Sequence, residues 1–459
     1  MRICILVPDG VGVRNYLYSD IISEILKKNH EVVILHSLST NAINEVEKIH
    51  NSSLKKVKLP KYKETIKQKF LRELICYNRL KFNVKKVKND SIITNWNPNK
   101  NGFNSVFYYV LEFISLFFLN SYKIILKLED IYQKSLLVST KKYEILLKKI
   151  NVDVVFSTHQ RSIQAIPVIK AAQKLNIKTV GAIFSWDNLP KARLNIRTDS
   201  YVVWSDYMKN EMSIYYPEIK QEYISVTGTP QFEFYKKRNI LISKEDFFKK
   251  YKLDINKKTI CFSGDDELTS PFDHLYLEDI SKQIISSNSD DYQILFRRCP
   301  VDVSNRYNNV IKKYSNLIKE VEPLWNFDKD NNNWSLIYPS YEDVRLLVNT
   351  VFHSDLVINI GSTMAHDFSI FNKPSIYIKY DLIKTDKWST DTIYKFQHFN
   401  TIGKLNAVYW LNSTNNVIKI IDRASVFNES IARDSIKWLD IIANHRENSS
   451  INIVNYLLE

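Results

Sequence analysis

Hydrophobic positions in this chain fall into short, nearly continuous runs, separated by stretches in which they recur every three or four residues. Ile3–Val7 (ICILV), His30–Leu35, Val152–Ser157 (VDVVFS), Thr179–Phe184, Ser200–Trp204 and Tyr223–Val226 have strand length and strand chemistry. Such unbroken runs are expected of strands covered on both faces of a parallel sheet. Tyr16–Lys28 and Gln164–Leu175 carry helical spacing between them. A second series follows, with runs at Thr259–Ser263, Gln293–Phe296, Trp334–Tyr338, Leu356–Ile360 and Ser375–Lys379. Strands alternating with helices in two successive halves predict an α/β protein of two Rossmann-like, doubly wound domains. The charged stretch Phe234–Lys244 marks the boundary, giving domains over 1–235 and 236–430, with 431–459 beyond them. A polar and basic segment with an aromatic helical part, about 37–150, reads as an insertion in the first domain. No internal repeat or long low-complexity tract interrupts this plan, and Asp330–Asn333 is only a polar loop.

Composition narrows the class. With 459 residues, 44% hydrophobic and 25% charged, the chain is long enough for two cores and has the balance of a soluble globular protein. No run of about 18 uncharged apolar residues occurs, so no transmembrane helix is predicted. Arg2 leads directly into the strand-like Ile3–Pro8, so no signal peptide is predicted and the expected location is the cytoplasm. Cys4, Cys76, Cys261 and Cys299 show no CxxC spacing and read as reduced thiols.

The net charge of +14 is unevenly spread. Lys55–Lys88 carries Lys67, Lys69, Arg72, Arg79, Lys81, Lys85 and Lys86 among Phe70, Leu71, Leu74 and Ile75. Val106–Leu119 (VFYYVLEFISLFFL) follows, too short to span a bilayer and interrupted by Glu112. A basic segment beside an aromatic one suits an anionic membrane surface, and equally a solvated helix next to a buried one. Nucleic acid is not an expected partner, because no helix-turn-helix, zinc-finger or RNP pattern accompanies the charge.

Candidate chemistry sits where doubly wound domains hold ligands, at the carboxyl ends of strands. Gly361-Ser362-Thr363 turns the run Leu356–Ile360 into a short helix, Met364–Phe371. Gly361 permits close backbone approach, while Ser362 and Thr363 can cap the helix or meet an anion there. Ser263 and Gly264, Arg297 and Arg298, and Tyr338 end other strands of the second half, and a guanidinium in such a place can clamp a phosphate. In the first half, His159 follows Val152–Ser157 and is a candidate general base, its ordinary proton affinity lying near neutrality. Asp187, in the Trp186-Asp187-Asn188 turn, and Asp9, after the first strand, are the other candidate bases. Arg14 and Asn15 are candidate acceptor contacts, and Trp186 either stacks on a ligand ring or fills the core.

Other chemistries are poorly supported. The loop DGVGVRN lacks the full dinucleotide fingerprint, and no phosphate-binding GxxxxGK[ST] loop occurs. No HxxxH or HExxH spacing exists, and Asp328-Lys329-Asp330 places a lysine where a metal would sit, so no metal and no cofactor are expected.

The unit that runs from Leu356 through Gly361-Ser362-Thr363, Asp367 and Lys373-Pro374 to Tyr380-Asp381 resembles the donor-site segment of GT-B glycosyltransferases. It is especially similar to the branch with CDP-glycerol glycerophosphotransferases and bacterial surface-polysaccharide transferases. Phe184–Leu189, Val202–Ser205 and Val226–Phe232 follow the order of the late N-terminal domain of such enzymes, so the resemblance spans about half the chain, Val152–Asp381. It implies two domains facing across a cleft, a nucleotide-sugar donor in the second, a glycan or lipid-linked acceptor in the first, and a last helix, Ile431–Asn444, crossing back to the first domain. The expected product is a bacterial surface glycan such as capsule or O-antigen; Asp367 is a candidate contact for the ribose hydroxyls, the lack of a metal-binding pattern makes metal-independent transfer the expectation, and the basic segment suits a peripheral place on the inner face of the membrane. A polyol-phosphate transferase, a non-hydrolysing nucleotide-sugar epimerase and a non-enzymatic membrane-surface scaffold are the alternatives.

Overall fold

The continuous apolar runs are strands of two parallel sheets. A computed structural model describes residues 1–459 apart from 119–120, 268, 327–336, 386–387 and 427. Among the described residues the chain divides into two compact units, Met1–Gln231 with Ile442–Glu459, and Phe232–Ile441. Each is an α/β Rossmann-like domain built on its own sheet.

The first sheet contains β1 (Arg2–Val7), β2 (Glu31–His36), β3 (Lys55–Lys58), β4 (Val154–Ser157), β5 (Lys178–Ala182), β6 (Ser200–Val203) and β7 (Ile224–Val226), in the order β3-β2-β1-β4-β5-β6-β7. Every pairing is parallel, and Leu6 of β1 lies opposite Ser157 of β4. The central strands are buried on both faces, which is why they read as unbroken apolar runs.

Three expectations for this unit change. The presumed insertion begins inside the sheet, because helix Thr40–His50 and β3 are core elements. β3 has the sequence KKVK and escaped notice because an edge strand can keep charged side chains in water. The helix expected at Tyr16–Lys28 is split into a π-helical turn, Val13–Leu17, and α1 (Ile21–Lys27). Ser19 and Asp20, residue types that favour helix ends over helix interiors, lie between them. The helix packed against α1 is Ser449–Leu458, one helix later than expected, since Glu429–Ile442 belongs mainly to the second unit.

Four helices fill most of the segment between β3 and β4: α2 (Ile66–Val87), α3 (Phe103–Leu116), α4 (Tyr122–Leu136) and α5 (Lys141–Ile150). Arg79 of α2 is fully buried rather than solvated. It donates to Tyr215 O at 2.8 Å and pairs with Glu129 of α4 and with Glu218, while Arg197 bonds the same two carboxylates. Arg72 is likewise paired, to Glu64 and Glu73. Arg79 holds helices to one another, Arg72 ties the start of its own helix to the preceding loop, and neither guanidinium is available to lipid.

The second sheet runs β10-β9-β8-β13-β14-β15, with β8 (Lys258–Ser263), β9 (Tyr292–Arg297), β10 (Ile318–Glu320), β13 (Leu356–Asn359), β14 (Ser375–Ile378) and β15 (Tyr409–Leu411) all parallel. A separate antiparallel ribbon joins β11 (Trp325–Asn326) to β12 (Tyr338–Pro339). The strand expected at Trp334–Tyr338 is therefore not part of the main sheet, and its residues 334–336 lie outside the described residues. So do Asp328-Lys329-Asp330 and the last residue of Val106–Leu119. Among the described residues no helix is long and apolar enough to cross a membrane.

Candidate functional site

In the first unit the strand order reverses between β1 and β4, so the loops that leave these strands open a crevice at their carboxyl ends. The register sets Asp9 and His159 side by side there, and His159 Nδ1 lies 2.8 Å from Asp9 Oδ2 with both side chains buried. A carboxylate on Nδ1 selects the tautomer with hydrogen at that nitrogen and puts the basic lone pair on Nε2. Two of the candidate bases are thus joined in one hydrogen-bonded pair, and Asp9 fixes the orientation of the His159 ring. Asp9 also accepts from Val11 N at 3.2 Å, which fixes the loop that carries it.

Gly12 is explained by the same contact between loops. A Cβ on this residue would meet Thr158 Oγ1 at 2.5 Å, so only glycine lets the first loop lie against Thr158. Asn15 is buried and accepts from Arg14 Nε at 3.1 Å, which leaves Arg14 the more exposed of the two expected acceptor contacts.

The loop after β5 is tied to this pair through a residue that sequence reasoning passed over. Gln160 accepts from Phe184 N at 3.0 Å and donates to Asn188 Oδ1 at 3.0 Å. Asp187, the third candidate base, is held by Ser185 Oγ at 2.6 Å, by Asn188 Nδ2 at 2.9 Å and by an ion pair with Lys191. Its carboxylate closes the turn. Trp186 is buried, which fits the core-filling reading better than the stacking one. Arg161, two residues beyond His159, has its guanidinium held below the usual arginine range by burial and then by Arg193, while the charges of Asp187 and Asp9 oppose the shift.

In the second unit the reversal falls between β8 and β13, which brings Ser263 and Gly264 beside Gly361, Ser362 and Thr363. Gly361 has φ +69°, and a Cβ there would meet Phe399 Cζ at 2.6 Å. Gly264 is required by Tyr307, whose hydroxyl would lie 2.7 Å from an added Cβ.

Thr363 does not cap the helix Met364–Ile370 as expected. Its backbone is already helical, whereas a capping residue needs an extended backbone to turn its oxygen back onto the first N–H groups. Its side chain is left exposed. Ser362 N is instead satisfied by Asn359 Oδ1 at 2.9 Å, and Ser362 Oγ accepts from Met364 N at 3.4 Å. Asp367 is buried on that helix.

Both expected phosphate clamps have carboxylate partners. Arg297 Nη2 reaches the two oxygens of buried Asp343 at 2.9 and 3.0 Å, and Asp343 also accepts from Leu324 N and Trp325 Nε1 at 2.8 Å each. This clasp ties β9 to the ribbon that contains Tyr338, which is itself buried. Arg297 Nη1 is buried and makes no hydrogen bond among the described residues. Arg298 is held by Glu320 Oε1 at 2.7 Å and Ser304 O at 3.1 Å. The segment after β8 adds an acidic group, Asp265, next to Gly264. Burial, then Asp273 and Asp266, push the Asp265 carboxyl up to about 8, so that it is largely protonated at neutral pH. Among the described residues no group of three or more His, Cys, Asp or Glu side chains is arranged to hold a metal ion.

No protein-family model matches the chain, and no curated protein matches it in sequence. Solved structures do match in shape. A glycosyltransferase from Rickettsia africae ESF-5 superposes with TM-score 0.54 at 13% identity, over 100% of this chain and 98% of that one. The S. aureus MnaA–UDP co-structure gives 0.55 at 11% identity, over 99% and 95%. UDP-GlcNAc 2-epimerase from Methanocaldococcus jannaschii gives 0.54 at 12% identity, over 100% and 99%. The chain has the GT-B glycosyltransferase-like fold. The two strand-order reversals described above are therefore the crevices of its two GT-B domains, one carrying the Asp9–His159 pair and the other the Gly361–Thr363 turn.

Proposed function

We propose that this protein is a glycosyltransferase that moves a sugar from a nucleotide-activated donor to an acceptor hydroxyl, without a metal. The observation that carries the reading is the buried Asp9–His159 pair at the strand-order reversal of the first unit. Such a pair is built to take a proton, which is what an acceptor hydroxyl must lose as it attacks the sugar. In this reading His159 is the base, Asp9 holds its tautomer and supports the imidazolium that forms, and the first unit receives the acceptor. The donor diphosphate lies at the β8–β13 reversal, against the backbone at Gly361–Thr363, with the exposed hydroxyl of Thr363 as a direct contact. Similar structures named for UDP-sugars or solved with UDP favour a nucleotide sugar as that donor. The acceptor is a glycan or lipid-linked saccharide of a bacterial surface polymer.

Epimerisation of a nucleotide sugar is a second reading, favoured by the UDP-GlcNAc 2-epimerases among the similar structures. It requires no acceptor. Polyol-phosphate transfer would use the same donor site. One experiment separates the three: a panel of nucleotide sugars and CDP-polyols is screened by thermal shift, and release of free nucleotide is followed with and without acceptor. Acceptor-dependent release from a nucleotide sugar supports transfer. Interconversion of sugars without an acceptor supports epimerisation, and a response confined to CDP-polyols moves the donor class.

A further inference from the structure

Helix α3 is apolar on both sides. Tyr108, Leu111 and Ser115 face inward and are buried, as the core side of a helix should be. The opposite side carries Val106, Tyr109, Val110, Phe113, Leu116 and the following Phe117, each 46–67% exposed. These positions recur at helical spacing, so they form one continuous stripe with no charged residue in it, about 16 Å long from Val106 to Phe117 at the usual rise per residue. Phe113 and Phe117 pair edge-to-face at 5.3 Å, and among the described residues nothing covers them. A monomer in water rarely leaves a patch of this kind open without a use.

The surroundings of the stripe select its partner. Lys100 stands 4.6 Å from the ring of Tyr109 in the stripe, while Lys69, 5.0 Å from the Phe107 ring, and Lys81, 3.3 Å from Ser115 Oγ, reach the helix from its inner side. Residues 61–100 contain eleven basic and three acidic side chains; Arg72 and Arg79 are taken up in ion pairs, whereas Lys67, Lys85 and Lys86 of the packed helix α2 are exposed. Glu112, the one acidic residue on α3, is neutralised by Lys100 at 2.8 Å and donated to by Trp96 Nε1 at 2.7 Å. An aromatic and aliphatic stripe with Lys100 at its edge and exposed lysines on the helix packed beside it matches the boundary between acyl chains and anionic headgroups. A second copy of the chain would bring like charges together instead.

We propose that α3 is a membrane-docking helix that lies flat in the interface of an anionic bilayer, with Val106, Tyr109, Val110, Phe113, Leu116 and Phe117 buried in it. The surface belongs to the first unit, and its docking is independent of whether the protein transfers or epimerises a sugar.

Sedimentation of the full chain with vesicles of phosphatidylcholine and phosphatidylglycerol, at three parts to one, tests the proposal. The protein should pellet at low salt, and salt above about 0.5 M should weaken binding several-fold. The triple change Phe113→Ser, Leu116→Ser, Phe117→Ser should cut partitioning at least about tenfold with little change in Tm, because these side chains are 61–67% exposed and bury little surface in the fold. Changing Lys67, Lys85 and Lys86 to Gln should weaken binding to the anionic vesicles but not to pure phosphatidylcholine. Failure of the parent to pellet at low salt would overturn the proposal, as would unchanged partitioning of the serine variant. A dimer in velocity sedimentation that the serine changes convert to monomer would show that a second copy covers the stripe, which also overturns it.

Discussion

His159 Nδ1 and Asp9 Oδ2 meet at 2.8 Å although 150 residues separate them. The contact follows from sheet register. Leu6 and Ser157 are partners on adjacent strands, so the residues just past them leave the sheet together and face the same crevice. Burial of the pair keeps water from competing for the bond, which makes the orientation of the imidazole a property of the fold rather than of a mobile side chain.

If the pair is the base, His159→Ala should lower kcat by about 10²–10⁴-fold while leaving donor KM nearly unchanged. Asp9→Asn should lower kcat as well, and the double variant should be no worse than His159→Ala, because Asp9 acts only through the imidazole. Steady-state kinetics on the four proteins decides this. Near-normal turnover of His159→Ala would remove the pair from the chemistry, and additive losses would show Asp9 acting separately.

Thr363→Val isolates the donor contact. The Thr363 hydroxyl makes no capping bond, so its removal should leave Tm unchanged. Loss of a hydrogen bond to a charged ligand costs about 1.5–3 kcal/mol, or roughly 10- to 150-fold in affinity for the nucleoside diphosphate. Isothermal titration calorimetry measures it directly. Equal affinity in the two proteins would place the diphosphate elsewhere.

Much of this architecture was legible because both faces of a central parallel strand must be apolar, which writes β1, β4, β8 and β13 into the sequence as unbroken runs. The strand-end rule then located Asp9, His159 and Gly361. What stayed hidden has two physical causes. Edge strands such as β3 and β10 keep polar side chains in water and lose the signature. Side-chain partners are chosen in space, so a sequence shows Arg297 without Asp343, which comes from 46 residues away, and Arg79 without Glu129 and Glu218, 50 and 139 residues away. Isolated from those partners, each arginine looked free for a ligand.

Arg79 should therefore be a stability residue. Arg79→Met keeps the length of the side chain but leaves Glu129 and Glu218 with only Arg197 to neutralise them in a buried setting. Breaking a buried pair in this way costs about 3–5 kcal/mol. Urea denaturation should show a loss in that range. A change under 1 kcal/mol would mean that water already solvates the network.

Glu211, buried on the helix Asp206–Tyr215, gives stability a distinct dependence on pH. Burial pushes its carboxyl from 4.5 up to about 8, Tyr207 holds it back in part, and the charge of Asp187 adds to the rise. Between those two values the folded chain keeps a proton that the unfolded chain has lost, so stability is greatest below this window and falls as pH rises through it. Buried His36 and His366, held down to about 4 and about 3, act in the opposite sense only below the ordinary histidine range near 6.5. From pH 6.5 to 7.5 the carboxyl contribution stands clear of them, at about 1.4 kcal/mol per pH unit for each such group. Asp265, raised to about 8, contributes the same way and remains in both proteins being compared. Glu211→Gln cannot titrate, so its unfolding free energy from urea titrations should fall less between these two pH values than that of the parent, by about 1.4 kcal/mol. Identical slopes in parent and variant would show that Glu211 is ionised in the folded protein at neutral pH.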